Sequence, residues 1–438
     1  MMPYCHCERY FGSEAALIQH QVAKHGSQVL VATELPTSSQ PNHAPAPQQK
    51  KPNPRFPTRD ARLSHEVKLL LKGVLSEETL HTIDAAALQP SNTLVSSTAQ
   101  PELICSYNWQ GSGGFRAPGH APIWKTLTLP ITISNDRTTQ TRSGKKPIWT
   151  KPEDRFYQVF QATAQMRPDF RFNDVDVITT RNSLRKFLDF CRGRAQDPFK
   201  VHVSLVKNTL FIEQYHVRPM ARQNTGWGHG FERAFAEFPP GLQDSTSHDR
   251  FLRYPIGDLN CIVGFEIDAC YQEGAARRRD EGPLEGLKEG LEQLSLGNID
   301  PEVAVPRYNQ EIMPQSTAAE LKTSKPGKTS IGAYLPQLWF GRTPWLIVGS
   351  HNEGTFLDTK VTNVEQRLKQ WETERQDELR KLVTLLAELR EALRGRGGQR
   401  FAVVYEKGET SRVLKMYKLV DQGKPAALDE SILGGFWA

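Results

Sequence analysis

Hydrophobic and polar positions along the chain predict strands and helices that do not alternate regularly. Strands are predicted at "DVDVITT", "FKVHVSLV", "NTLFIEQY", "LNCIVGFEIDACY", "TAAELKTS" and "PWLIVGS", with a turn at Lys207-Asn208. One helix is expected to begin at about Asn182, and another at "GFERAFAEF". A long amphipathic helix is expected over residues 362–394. The segments "QRFAVVYEKG" and "RVLKMYKLV" predict a closing hairpin. This order favours the α+β class, with a mixed β-sheet and flanking helices.

Composition divides the chain into three parts. Residues 1–26 predict a small separate unit, and residues 27–64 are rich in Ser, Gln, Pro, Ala and Lys. Such a segment buries too little surface to offset its ordering entropy, so we expect a disordered linker there. Residues 65–438 then form the main domain, within which the charged, Gly-containing residues 272–315 are expected to be a flexible insertion.

Charge and cysteine content restrict the expected binding partners and cellular compartment of the protein. The net charge of +6 over 438 residues is compatible with a polyanion such as RNA but does not require one. Apolar runs are too short to span a membrane, and "MMPYCHCERY" lacks the apolar segment of a secretory signal. Six cysteines without a disulfide-like spacing favour a reducing compartment, so we expect the nucleus or the cytoplasm.

Two strands carry carboxylates in otherwise apolar surroundings. Alternate strand residues share a face, so Glu266 should project with Asp268, and Glu320 with Lys322, while Leu321 faces the other way. Buried carboxylates are costly unless a cation compensates them, and Mg²⁺ or Mn²⁺ prefers such oxygen ligands. A nearby lysine could stabilise charge on a phosphate. The alternative is that both pairs lie on solvated strand edges.

Several ordered blocks carry a family resemblance. The first is "VITTRNSLRKFL" with Arg181, followed by "GHGFE" with Gly228 and Glu232. The pairs in "FEIDAC" and "ELKTS" come next, and "PQLWFGRTPWLIVG" closes the series with Gln337, Gly341 and Gly349. In this order the blocks resemble the eukaryotic DXO-type (Dom3Z/Rai-like) decapping and exoribonuclease family, whose fold is related to PD-(D/E)XK nucleases.

The resemblance implies a role for each matched residue. It implies that Glu232, Glu266, Asp268 and Glu320, with the Leu321 carbonyl, hold one or two Mg²⁺ or Mn²⁺ ions. Lys322 and Gln337 would position the attacking water and the scissile phosphate, and Arg181 would bind an RNA phosphate. The implied activity is hydrolysis at RNA 5′ ends, which removes incomplete or non-standard caps and is coupled in some members to 5′–3′ degradation.

The sequence departs from the family pattern at two places. His229 occupies the first hydrophobic position of the block that contains Glu232. The 51 residues between Asp268 and Glu320 exceed the usual spacing. An insertion of this length could cover or reshape the cleft.

The N-terminus fits a zinc finger of the ββα type. Its spacing is C-x-C-x12-H-x4-H with Cys5, Cys7, His20 and His25, and Phe11 and Leu17 would form its small core. We expect Zn²⁺ to supply most of its folding free energy. Only one residue separates the two cysteines, whereas at least two usually do, and this shorter spacing tightens the turn around the metal. A frayed, degenerate finger is the alternative.

Three alternatives to an RNA hydrolase stay open. One is a catalytically inactive relative that binds RNA or a protein partner, through the finger or the long C-terminal helix. Another is a zinc-finger nucleic-acid-binding protein, although one finger alone reads only about three base pairs and cannot specify a genomic site. The third is a DNA nuclease of the wider superfamily. All four matched acidic positions are retained, and this favours the hydrolase.

Overall fold

The computed structural model describes residues 4–5, 9–10, 59–136, 156–215, 226–272, 312–328, 330–407, 412–420 and 429–437. The chain divides into two compact units, Met1–Pro57 and Thr58–Ala438. In the first unit, strand β1 (Tyr4–Cys5) pairs antiparallel with β2 (Arg9–Tyr10). Of the predicted zinc ligands, Cys7, His20 and His25 lie outside the described residues, as do most of the predicted linker and insertion.

The second unit contains helices and strands in mixed order. Its helices are α1 (Arg59–Leu70), α2 (Phe156–Met166), α3 (Arg181–Cys191), α4 (Gly228–Phe235), α5 (Leu335–Phe340), α6 (Glu365–Glu374), α7 (Gln376–Leu393) and α8 (Glu430–Phe436). Its strands are β3 (Val74–Asp84), β4 (Glu102–Gln110), β5 (Phe115–Arg116), β6 (Ile123–Trp124), β7 (Ile131–Thr132), β8 (Val177–Thr180), β9 (Phe199–Val206), β10 (Thr209–Gln214), β11 (Ala236–Glu237), β12 (Ser245–Ile256), β13 (Leu259–Glu266), β14 (Ala269–Cys270), β15 (Ala318–Ser324), β16 (Trp345–Asn352), β17 (Thr355–Asn363), β18 (Phe401–Tyr405) and β19 (Val413–Leu419).

The strands of this unit form two mixed sheets. Ten of them are ordered β3-β19-β18-β9-β10-β8-β13-β12-β4-β5, and seven are ordered β11-β6-β14-β15-β16-β17-β7. Parallel pairs, such as β13 with β8 and β15 with β16, occur beside antiparallel hairpins such as β18–β19. The α+β expectation is therefore confirmed for the described residues.

Helices cover both sheets and share their cores. The largest cluster of buried hydrophobic side chains joins the two sheets through α3, α5, α6 and α7. The other face of the ten-stranded sheet packs against α2 and α8, where Phe160 and Phe436 meet. Helix α4 packs on the seven-stranded sheet, where Phe231 contacts Phe356. Within the described residues, no helix is long and apolar enough to cross a membrane.

Two predicted elements differ from the structure. The strand predicted over residues 259–271 ends at Glu266, and Ala269–Cys270 already belongs to the seven-stranded sheet. The single long helix is divided at Arg375, whose φ of −116° and ψ of 19° are not helical. The reason is packing, since α6 places Trp371 against Trp339, whereas α7 packs along α3.

Candidate active site

Glu320 lies at the centre of a buried cluster of nitrogen donors. Glu320 lies on β15, which pairs with β14 on one side and β16 on the other. The side chain of Glu320 is only 2% exposed. Arg181 Nη1 donates to Glu320 Oε2 at 3.0 Å, while Lys322 Nζ and Gln337 Nε2 both donate to Oε1. Burial acts to raise the pKa of Glu320, but Arg181 and Lys322 outweigh it and hold this pKa below its ordinary value. Glu320 is therefore a buried carboxylate that keeps its charge.

Arg181 reaches this cluster because a strand turns directly into a helix. Strand β8 ends at Thr180, whose Oγ1 accepts from the Ser183 amide at 3.3 Å and so begins α3 at Arg181. On the neighbouring parallel strand β13, Gly264 lies opposite Thr180. Gly341 follows α5, and a Cβ there would lie 3.1 Å from Arg181 Nη1, so a side chain would crowd the guanidinium.

Gln337 is held in one orientation by Arg185. Arg185 lies one turn after Arg181 on α3, and its Nη1 donates to Gln337 Oε1 at 3.1 Å. The amide nitrogen of Gln337 is therefore left to donate to Glu320. The sequence reading missed Arg185, although its i, i+4 spacing from Arg181 was a usable signal.

Asp268 joins the two sheets at the point where the chain passes from one to the other. Its Oδ2 accepts from the Leu321 amide at 2.9 Å and lies 3.8 Å from Lys322 Nζ. Burial, followed by the charge of Glu320, raises the pKa of Asp268 well above its ordinary value. The Leu321 carbonyl accepts from Lys322 Nζ at 3.1 Å. Arg181 and Lys322 therefore favour the charged form of Glu320, while burial beside this charge favours the protonated form of Asp268.

Glu232 is positioned by the first turn of α4. Asp136, only 2% exposed, accepts from the amides of His229 and Gly230 at 3.2 and 2.8 Å, which fixes the helix N-terminus. His229 Nδ1 lies 3.2 Å from Glu232 Oε2, and this hydrogen bond raises the pKa of His229. Sequence reading missed Asp136, because no local pattern links it to a helix more than 90 residues later.

Three of the predicted acids line one cavity of about 580 Å³, here called the carboxylate cavity. It is lined by Pro122, His229, Glu232, Arg233, Ala236, Glu237, Phe238, Gln243, Ser245, Thr246, Ser247, His248, Glu266, Ile267 and Asp268. Glu320, Lys322 and Gln337 are not among these residues, but Lys322 Nζ lies 3.8 Å from Oδ2 of Asp268, which lines the cavity. Arg181 lines a second cavity, of about 240 Å³, in which Glu266 also takes part. The predicted site residues therefore form two connected groups.

The residue types fit a hard divalent cation. Glu232, Glu266, Asp268 and Glu320 offer only oxygen ligands, and the buried Asp268–Glu320 pair would be relieved by a positive ion. The arrangement is not a closed ligand shell, however. Among the described residues, no three His, Cys, Asp or Glu side chains lie close enough together to hold a metal ion. The negative charge of Glu320 is compensated by the side chains of Lys322 and Arg181 instead of by a metal ion.

Solved structures with a similar fold include Rai1 proteins from three organisms. Rai1 of S. pombe, in complex with 3′-FADP, has a TM-score of 0.54 and 14% sequence identity, and the match covers 77% of this chain and 99% of that one. Rai1 of Scheffersomyces stipitis, with (3′-NADP)+ and calcium, has a TM-score of 0.52 and 13% identity over 77% and 92% of the two chains. Rai1 of Candida albicans, with pU5 and Mn²⁺, has a TM-score of 0.50 and 14% identity over 80% and 96%. At these identities the likeness establishes the DXO-type fold.

Sequence comparison places the chain more narrowly. No curated protein matches it. A family model described as "Domain of unknown function (DUF8563)" matches residues 77–437, which include every element from β4 to α8. Since this match spans most of the chain, the protein belongs to the DUF8563 family, and its fold is that of the Rai1 structures.

Proposed function

We propose that this protein is a divalent-metal-dependent hydrolase that acts on RNA 5′ ends. The observation that carries the proposal is the buried Glu320 with its three donors, joined through Asp268 to the carboxylate cavity. Burying this many charged groups together costs stability, and such arrangements concentrate at catalytic sites. The DXO-type fold supports the same class, since one of the similar proteins was solved with pU5 and Mn²⁺.

The side chains divide the chemistry between them. Glu232, Glu266, Asp268 and Glu320, with the Leu321 carbonyl, would hold Mg²⁺ or Mn²⁺. When bound, such an ion supplies Lewis-acid stabilisation of a phosphate and a more acidic water. Arg181 and Lys322 carry the positive charges that offset charge building up on the phosphate oxygens. Gln337, oriented by Arg185, presents an amide N–H to the same place.

The finer parts of the proposal concern substrate and setting. We take the substrates to be RNAs with incomplete or non-standard caps, with 5′–3′ exoribonuclease activity as a second step, on a core related to PD-(D/E)XK nucleases. Zn²⁺ held by Cys5, Cys7, His20 and His25 would give the chain an accessory binding module. The nucleus or the cytoplasm is the expected compartment.

The direct test is a panel of RNAs with different 5′ ends. The full chain would be incubated with 5′-triphosphate, 5′-monophosphate, unmethylated-cap and methylated-cap RNAs, with Mg²⁺, Mn²⁺ or EDTA. We expect release of a nucleotide or cap product from at least one RNA with metal, and none in EDTA, because the carboxylates would then repel the phosphate. Full activity in EDTA would contradict metal dependence.

A second candidate is an RNA-binding relative without activity. It is favoured by the open ligand arrangement, in which nitrogen donors occupy both Glu320 oxygens. Tight binding to 5′-modified RNA, with no product under any metal condition, would select it. A matched Glu320→Gln variant separates the two candidates further. It should abolish turnover in an enzyme and leave a pure binding protein nearly unchanged.

A further inference from the structure

His229 lines the carboxylate cavity, but the proposed hydrolysis gives it no role. It lies one turn before Glu232 on α4, and its Nδ1 is 3.2 Å from Glu232 Oε2. A carboxylate can only accept a hydrogen bond, so the imidazole is the donor and its Nδ1 carries a proton. Within the described part of the chain, His229 is the only side chain that hydrogen-bonds to the carboxylate of Glu232.

The backbone of His229 is held in place from two sides. The buried carboxylate of Asp136 accepts from the amides of His229 and Gly230 at 3.2 and 2.8 Å. Gly230 lies so close to the preceding segment that a Cβ there would be 2.8 Å from Ile133 Cγ2. The next residue, Phe231, is fully buried in the core of the seven-stranded sheet. The first turn of α4 therefore gives the imidazole a fixed base.

The carboxylate of Glu232, by contrast, has room to move. Its side chain is 37% exposed. A glutamate at such a position samples several rotamers, and fixing it on a metal ion costs conformational entropy. A hydrogen bond from an imidazole on a fixed backbone removes part of this cost before an ion binds. As an exposed pair, His229 and Glu232 contribute little to folding stability, so their contact is better explained by the cavity that both line.

We propose that His229 is a positioning residue of the proposed metal site, which holds Glu232 Oε2 and leaves Oε1 to bind a divalent ion. Ligating carboxylates are commonly oriented in this way by a hydrogen-bond partner that does not touch the metal. The inference rests on the proposed function in taking Glu232 to be a metal ligand.

The first test measures Mn²⁺ binding without RNA, so that turnover does not enter the result. Isothermal titration of the full chain would compare wild type with His229→Leu and His229→Asn. Leucine removes the donor, and we expect the affinity for Mn²⁺ to fall about tenfold, as when other partners of metal ligands are removed. Asparagine places an amide N–H near the position of Nδ1, so it should restore most of the affinity. Unchanged affinity in His229→Leu, or no recovery in His229→Asn, overturns the inference.

His81→Leu is the matched control. His81 Nε2 lies 2.9 Å from Glu388 Oε1, and the two side chains are 34% and 35% exposed. This pair joins β3 to α7 and does not line the carboxylate cavity. The control should bind Mn²⁺ as wild type does. An equal loss of Mn²⁺ affinity in both leucine variants would be a general effect of removing an imidazole and would overturn the positioning role.

A double variant separates positioning from direct ligation. Glu232→Gln should weaken Mn²⁺ binding by itself. Adding His229→Leu should then cause little further loss, because His229 acts through the carboxylate that is already gone. Additive losses would make His229 a metal ligand in its own right and contradict the proposal.

The same variants separate this inference from the proposed function. Weaker Mn²⁺ binding in Glu232→Gln but not in His229→Leu would keep the metal site and remove the positioning role. Weaker binding in both, with no hydrolysis of any 5′-modified RNA, would keep the positioning role and remove the enzyme. Unchanged Mn²⁺ binding in Glu232→Gln would show that Glu232 is not a ligand, and the inference would fail with that part of the proposed function.

Discussion

Arg181 and Glu320 are 139 positions apart in the chain, yet Arg181 Nη1 donates to Glu320 Oε2 at 3.0 Å. Their side chains are 12% and 2% exposed, so the pair is largely removed from water. A buried ion pair of this kind is weak evidence for stability, because desolvation offsets most of the attraction. Its position beside Lys322, Gln337 and Asp268 is better explained by the proposed role of these residues in hydrolysis.

Replacing Glu320 by Gln should remove most of the activity. The change keeps the shape but removes the charge that Arg181 and Lys322 surround, and we expect a loss of at least about 100-fold in kcat, or about 2.7 kcal/mol of transition-state stabilisation. Glu213→Gln is the matched control, because Glu213 also forms a buried pair, with Arg400 at 3.1 Å, but on β10. Equal losses in both variants would indicate a general folding defect.

Arg185 should act through Gln337. In Arg185→Met the amide oxygen of Gln337 loses its donor, and the amide can rotate away from Glu320. We therefore expect kcat to fall about tenfold, the effect of losing about one hydrogen bond. Gln337→Ala should cause a similar loss. The double variant should be no worse than Gln337→Ala alone, since both changes remove the same interaction. Fully additive losses would show that Arg185 has a separate role.

A methyl group at Gly341 should disturb Arg181. The Cβ of Gly341→Ala would lie 2.7 Å from Thr343 Oγ1 and 3.1 Å from Arg181 Nη1, so the threonine hydroxyl must move and the guanidinium is crowded out of its observed position. We expect about a tenfold loss of kcat/KM on 5′-modified RNA, because a small misplacement of a phosphate-binding group is costly. Gly332→Ala is the control, since its nearest neighbour is 4.0 Å away. If both variants keep full activity, Arg181 does not need its observed position.

Lys200 should make stability depend on pH. It is 1% exposed, its Nζ donates to the Lys72 carbonyl at 3.1 Å, and burial lowers its pKa to about 8. Below pH 8 the full cost of the buried charge is present. Between about pH 8 and the ordinary value near 10.4 the unfolded chain binds more protons than the folded one, so stability rises with pH.

The measurement for Lys200 is the unfolding free energy of Lys200→Met relative to wild type between pH 7 and 10.5. We expect the variant's relative advantage to be largest at pH 7 and to shrink by about 3 kcal/mol across this range. The exposed Lys360→Met serves as control and should show a flat difference. A flat difference for Lys200→Met would mean that its ammonium reaches water.

The N-terminal unit should bind zinc when the full chain is purified. Elemental analysis is expected to find about one Zn²⁺ per chain, and Cys5→Ser combined with Cys7→Ser should remove it, because serine does not replace a thiolate ligand. Hydrolysis by the main domain should continue without zinc. A wild-type chain free of zinc would instead favour a degenerate finger.

The sequence alone determined most of the local elements and predicted most residues of the candidate site. Alternation placed Glu320 and Lys322 on one side of β15, and Leu321 does pack on the opposite side with Phe231. The turn at Lys207 and the C-terminal hairpin were confirmed for the same reason, since short-range periodicity and turn chemistry are written in consecutive residues. Whether the site residues hold metal stays a prediction.

Only the tertiary structure decided how these residues meet. The passage of the chain from one sheet to the other after Glu266 could not be read from an apolar run, because periodicity does not report which strand is the neighbour. Three contacts join elements that are distant in sequence. Asp136 accepts from an amide at the N-terminus of α4, Arg185 donates to Gln337, and Asn108 hydrogen-bonds to His248. Such contacts are set by the packing of whole helices and sheets, and this packing leaves no local pattern in the chain.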